Sequence, residues 1–345
     1  MQGFTRPGAF SPKRGSGLRG FGWGRFGFGG SGSRGSAVRR EVPGLLLRVA
    51  GTVHHAVVDA GPEGSGTVVF TSGLGGAWYD WDSVVPLLAG RATLVRFDRP
   101  GLGWSQASPI PPSLAGEADR IKQLLRALGL PGPVVLVGHS LAGFHVEGFA
   151  RLYPESTAGA VIVDGSTEPD AVPPAGYSQR VRRWRRVGAA LNTVGLGAVV
   201  GPGVRRLAIA ATTMRGPDAA DADQVAATFA AGRPDTAAMV ENATYFDLAA
   251  QLLELRCERP FPAVPLRVLA AFGASRIERA LLPPSLASRM RDGWRLRQRE
   301  LAALSPHGAL VELADSAHYI PFDRPDAVAD AVLSVLAAAP EGGEA

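Results

Sequence analysis

From about residue 43 onward, short apolar runs alternate with stretches of helical period. Residues 68–71, 93–97, 134–137, 160–163, 266–272 and 309–313 read as strands. Several are apolar at successive positions rather than at every second one, as expected of parallel strands covered on both faces. Between them, residues 113–128 place Leu114, Ala118, Ile121, Leu125 and Leu128 on one stripe, and Gly129 ends the helix. A last helix begins at Pro325 and aligns Val328, Val332, Val335 and Leu336. Strands alternating with amphipathic helices predict an α/β fold, a mostly parallel doubly wound sheet.

The alternation lapses over residues 168–259. This stretch is rich in arginine and alanine, carries Trp184, Met214, Phe229, Met239, Tyr245 and Phe246, and shows helical runs at 218–231 and 236–256 but no strand. A helical insertion between two strands of an open sheet lies over the strands' carboxyl ends, where such folds bind ligands. It is therefore expected to be a cap on a core formed by residues 41–167 and 260–340. Within it, residues 187–204 carry no charge, but they include five glycines and a proline. Arg182, Arg183, Arg185 and Arg186 precede the run, and Arg205 and Arg206 follow it. Length and glycine content argue against a spanning helix. A buried cap helix or pocket wall is expected in preference to a membrane-surface element.

Composition changes this picture at the amino end. The net charge is +5, yet residues 1–40 hold eight basic groups and no acidic one, leaving 28 basic against 31 acidic groups elsewhere. The folded body is thus not a basic nucleic-acid-binding domain. Residues 1–40 also hold 12 glycines among six scattered aromatic residues. Such a composition buries too little surface to offset chain entropy and reads as a disordered leader. A mixture of glycine, arginine and aromatic residues is also compatible with single-stranded RNA binding. No apolar stretch follows the early arginines as in a signal peptide, so a cytoplasmic location is expected. Cys257 is the only cysteine, which excludes an intramolecular disulfide and CxxC chemistry; core packing is its expected role.

The candidate chemistry centres on "PVVLVGHSLAG", residues 133–143. A buried strand runs into Ser140, with small residues two positions before and after it. A serine in a sharp strand-to-helix turn holds its hydroxyl clear of the backbone, and close packing at the turn demands small neighbours. This is the nucleophile elbow G-x-S-x-G, with Ala142 at the final glycine position and Gly143 next. Two further segments accompany it: the strand and glycine loop "VVFTSGLGG", residues 68–76, and "FDRPGLGWS", residues 97–105.

Together these segments resemble the serine-nucleophile branch of the α/β-hydrolase superfamily. The resemblance implies that the backbone N–H groups of Leu74 and Leu141 form the oxyanion hole. It also implies that Asp98 and Arg99 brace a glycine turn, and that a histidine in the last loop is the base. Of six histidines, His318 in "ELADSAHYIPFDRPDAV" occupies that position. The orienting acid is either Asp164, at the end of the strand after the nucleophile helix, or Glu278, beyond the strand that follows the cap. Asp164 is favoured because a strand end is fixed by rigid backbone.

The expected activity is hydrolysis of a carboxylester, lactone or thioester through an acyl-enzyme on Ser140. Acyltransferase, carbon–carbon hydrolase and haloperoxidase chemistry could use the same residues, and a non-catalytic ligand-binding protein could retain the fold. No cofactor and no metal are implied: HExxH and a dinucleotide glycine loop are both absent. The expected partner is a small molecule with a hydrophobic acyl group and a polar or anionic end.

Overall fold

The computed structural model describes residues 42–49, 51–130, 132–214, 222–232 and 234–339; the leader, residues 1–40, lies outside them. In chain order the elements begin with β1 (Leu45–Val49), β2 (Thr52–Asp59), β3 (Thr67–Thr71), α1 (Val85–Leu88) and β4 (Thr93–Phe97). There follow α2 (Leu114–Ala127), β5 (Val134–His139), α3 (Ala142–Leu152) and β6 (Thr157–Val163). Four helices come next: α4 (Tyr177–Thr193), α5 (Leu196–Thr212), α6 (Ala222–Ala231) and α7 (Pro234–Glu258). The chain closes with β7 (Leu266–Ala271), α8 (Arg276–Leu281), α9 (Pro284–Ala302), β8 (Gly308–Leu313), α10 (Ile320–Asp323) and α11 (Pro325–Ala338).

The sheet order is β1-β2-β4-β3-β5-β6-β7-β8. All pairings from β4 to β8 are parallel, while β1–β2 and β2–β4 are antiparallel. Strand β5 shows why the central strands read as unbroken apolar runs. Val134 and Leu136 join a core with Ile121, Leu124, Phe149 and Leu301 on one face. Val135 and Val137 point the other way, among Phe70, Val163, Val332 and Val335. Both faces are dry, so each successive residue must be apolar.

Two expectations fail, for one reason. Cys257 is exposed rather than packed in the core, because Leu248, Leu252 and Leu255 form the inward face of α7 and leave position 257 on the outside. The charge-free run 187–204 is not a buried helix either. It spans the end of α4, a left-handed Gly195 and the first half of α5. Gly188 and Gly197 are buried there, but Val194, Leu196, Val199, Val200 and Val204 are exposed. Apolar composition does not determine which side of a helix meets the core.

Gly159 allows β6 to lie against α11: a Cβ at that position would stand 2.3 Å from Val335 Cγ1. Gly159→Ala is expected to lower the unfolding free energy by about 1–3 kcal/mol. Val335→Ala should cost less in that background than alone, since it vacates the contested space. Urea titration of the two single variants and the double variant checks the coupling.

Candidate active site

Three strand ends and one loop converge at the carboxyl edge of the sheet. Strand β5 stops at His139, and Ser140 follows with φ +55°, an uncommon conformation for a residue with a side chain. Two backbone bonds hold it there: Ser140 N–H donates to Val163 O at 3.0 Å, and Gly143 N–H donates to Ser140 O at 2.9 Å. Gly138 is required, because a Cβ would come within 2.6 Å of Ala142 O. The tolerance of Ala142 has a simple cause. The close approach between α3 and the next strand-end turn is made one residue later, where a Cβ on Gly143 would stand 3.2 Å from Gly165 Cα.

One strand over, Asp164 also has a positive φ, +44°. Its Oδ1 accepts from Ala271 N–H at 2.9 Å and Trp294 Nε1–H at 3.1 Å, and Oδ2 lies 2.6 Å from His318 Nδ1. The carboxylate is buried. With Nδ1–H donating to it, His318 Nε2 is left to accept from Ser140 Oγ–H, 2.9 Å away. His318 sits between β8 and α10. Its carbonyl accepts from His139 Nε2–H at 2.8 Å, and neighbouring Ala317 N–H donates to the buried Asp323 at 2.9 Å.

Glu278 is not part of this relay. It closes a capping box at the start of α8, accepting from Ser275 N–H at 2.6 Å, while Ser275 Oγ accepts from Glu278 N–H. His139 lies against His318, with ring centroids 4.8 Å apart and the rings tilted by 43°. Burial, and secondarily the neighbouring His318, push its pKa down to about 3. His54 is lowered to about 4 by burial and then by Arg120, and buried His145 is held well below the usual histidine range by burial and then by Arg99 and Arg120. All three are neutral at pH 7.

The glycine loop after β3 runs beside Ser140: a Cβ on Gly73 would stand 3.2 Å from Ser140 Cβ and 2.8 Å from His139 Nδ1. The N–H groups of Leu74 and Leu141 find no acceptor among the described residues. Arg99 and Glu241 hold the loop in place. Arg99 Nε and Nη2 donate to Glu241 Oε1 and Oε2 at 2.7 and 2.9 Å. Nη2 also donates to Gly73 O at 2.7 Å and Nη1 to Ser72 O. Glu241 Oε2 in turn accepts from Gly75 N–H at 2.8 Å. Asp98 braces the adjoining turn by accepting from Trp78 N–H, Trp104 N–H and His55 Nδ1–H, and does not reach His318.

Glu241, on α7, is the residue the sequence reading missed, since no motif surrounds it. The available signal was indirect: an arginine buried beneath a glycine loop needs a carboxylate. A cavity of about 620 Å³ opens beside the relay, with Asp164, His318, Trp294, Leu282, Met290 and Arg291 among its walls. A second cavity, of about 480 Å³, lies away from it between residues 106–112 and helices α4 and α7.

Residues 68–331 match the model of the Alpha/beta hydrolase family. Among curated proteins, RutD of Pantoea ananatis, named as a carbamate hydrolase, is 35% identical over 102 residues, covering 29% of this chain and 37% of that one. The (lyso)-N-acylphosphatidylethanolamine lipase of Mus musculus is 32% identical over 101 residues, 28% of this chain and 29% of the lipase. The matched stretch therefore spans well under half the length of either relative. Among solved structures, Cfl2 from Burkholderia cenocepacia has a TM-score of 0.62 at 22% identity, over 84% of this chain and 94% of that one. The enol-lactonase from Burkholderia xenovorans LB400 has a TM-score of 0.59 at 19% identity, over 85% of this chain and all of its own. At such identities the likeness shows the fold alone.

Two outcomes follow from the buried groups. Glu241→Ala leaves Arg99 buried without its carboxylate and should lower stability by about 3–5 kcal/mol, measured by denaturant titration. The depressed histidines take up protons on unfolding once the pH falls below about 6.5, so the unfolded state binds more protons there and stability declines with acid. From pH 7 to pH 4 the wild type should therefore lose more unfolding free energy than His145→Leu does, the difference being this histidine's share.

Proposed function

Because the chain belongs to the alpha/beta hydrolase family, we propose that it is a serine hydrolase that cleaves an ester-like bond through an acyl-enzyme on Ser140. The observation that carries this reading is the relay Ser140 Oγ, His318 Nε2, His318 Nδ1, Asp164, with contacts of 2.9 and 2.6 Å. As Oγ attacks a carbonyl carbon, its proton passes to Nε2, and the imidazolium is held by Asp164 through Nδ1–H. The carbonyl oxygen becomes an alkoxide facing the free amides of Leu74 and Leu141, each contributing about 3 kcal/mol to its stabilisation. Collapse restores the carbonyl and expels the leaving group, which takes the proton from Nε2. Water then repeats the sequence on the acyl-enzyme and releases the acid.

Helices α4–α7 act as a cap in this reading, tied to the oxyanion loop by Glu241 and to α3 by the Tyr245–Phe144 ring contact at 5.4 Å. The adjoining cavity carries Ala274, Leu282 and Met290 with Arg279 and Arg291, which supports a hydrophobic acyl group with a polar or anionic end. Carbamate hydrolase and lipase, the names of the curated relatives, both denote cleavage at an acyl carbon.

Ser140→Ala and His318→Ala are each expected to lower p-nitrophenyl ester turnover about 10,000-fold, and Ser140→Ala to abolish labelling by a fluorophosphonate. Labelling that persists in Ser140→Ala would remove this serine from the chemistry. Asp164→Asn should cost a comparable factor, because the wrong imidazole tautomer is then favoured. Glu278→Gln should leave kcat unchanged. A p-nitrophenyl ester series of increasing chain length reports the acyl preference.

A further inference from the structure

Helix α5 is turned outward. Leu196, Val199, Val200, Val204 and Leu207 fall at i, i+3, i+4, i+8 and i+11, one continuous stripe on a 3.6-residue helix. A stripe of this kind ordinarily packs on a core. This one faces water, with Val199 80%, Val204 59% and Leu207 68% exposed. The opposite side meets the protein through Gly197, which is buried, Gly201, where a Cβ would strike the Phe229 ring at 2.3 Å, and Ile209. The stripe continues around the corner at Gly195 to Val194, 75% exposed, and Val187 on α4.

Charge accompanies the stripe. From Tyr177 to Thr212 the chain has seven arginines and no carboxylate. Three are committed: Arg180 to Asp247, Arg205 to Asp80, and Arg185 to the carbonyls of Ser108 and Pro109. Arg182, Arg183, Arg186 and Arg206 are exposed and make no ion pair among the described residues. No single described helix is long and apolar enough to cross a membrane; α4 and α5 reach that length and composition only together, as a pair bent by 109°.

We propose that the α4–α5 corner docks on the surface of an anionic lipid bilayer, its valines and leucines entering the boundary between headgroups and acyl chains and its free arginines meeting lipid phosphates. Basic groups beside an apolar helical stripe are the composition that binds such an interface. A second copy of the chain fits less well. In a two-fold interface the same patch meets itself, which would bring the unpaired arginines of both copies together. The proposal is independent of the chemistry assigned to Ser140.

The test is sedimentation of the full chain with phosphatidylcholine vesicles, alone or with 30 mol% phosphatidylglycerol (a composition on the order of a natural anionic leaflet). The wild type should partition at least about tenfold more strongly onto the anionic vesicles and lose binding as salt rises. Val199→Asp/Val204→Asp and Arg182→Glu/Arg183→Glu/Arg186→Glu should each lower partitioning about tenfold or more, with wild-type circular dichroism and melting temperature confirming the fold. Three results would overturn the proposal. The folded wild type could ignore anionic vesicles. Binding could survive both variants, assigning it to the basic leader. Sedimentation velocity could show a dimer that Val199→Asp/Val204→Asp dissolves, assigning the face to a second copy.

Discussion

The site depends on how closely two strand-end turns approach each other. Ser140 and Asp164 are the two described non-glycine residues with positive φ, and they stand at the ends of adjacent parallel strands. Each such conformation costs of order 1–3 kcal/mol and persists only where its surroundings leave no alternative. The surroundings are the bond from Ser140 N–H to Val163 O, the bond from Ser166 N–H back to Ser140 O, and the glycine-to-glycine contact between positions 143 and 165. Each turn thus holds the other and delivers the hydroxyl and the carboxylate to opposite nitrogens of one imidazole, with Trp294 Nε1–H also holding the carboxylate.

The glycine loop is held differently. Its carbonyls and one of its amides are gripped by an arginine from the core and a carboxylate from a helix between β6 and β7. A desolvated pair of this kind adds little net stability compared with apolar side chains, but its geometry is demanding. It leaves the Leu74 amide without an acceptor among the described residues, as the proposed role of a preorganised donor requires.

The central strands were legible because burial on both faces forces unbroken apolar runs. β1 escaped notice because it is a five-residue antiparallel edge strand whose leucines alternate in exposure. The elbow around Ser140 follows from spacing, and the loop position of His318 from the family resemblance. Asp164 could be preferred over Glu278 on rigidity alone, yet separating them needed the path of the segment after β7, which the capping box of α8 determines. Glu241 and the outward turn of α5 were not legible, since both depend on which face of a helix is presented, and composition carries no such information. Cys257 misled for the same reason.

The ion pair beneath the glycine loop also bears on ancestry and engineering. The helical segment between β6 and β7 is not freely replaceable. A chimera carrying a foreign insert would inherit Arg99 without its counter-charge, and would have to bring its own acid to that one spot or lose the arginine in the same step. Two distant stretches of sequence are thereby obliged to change together.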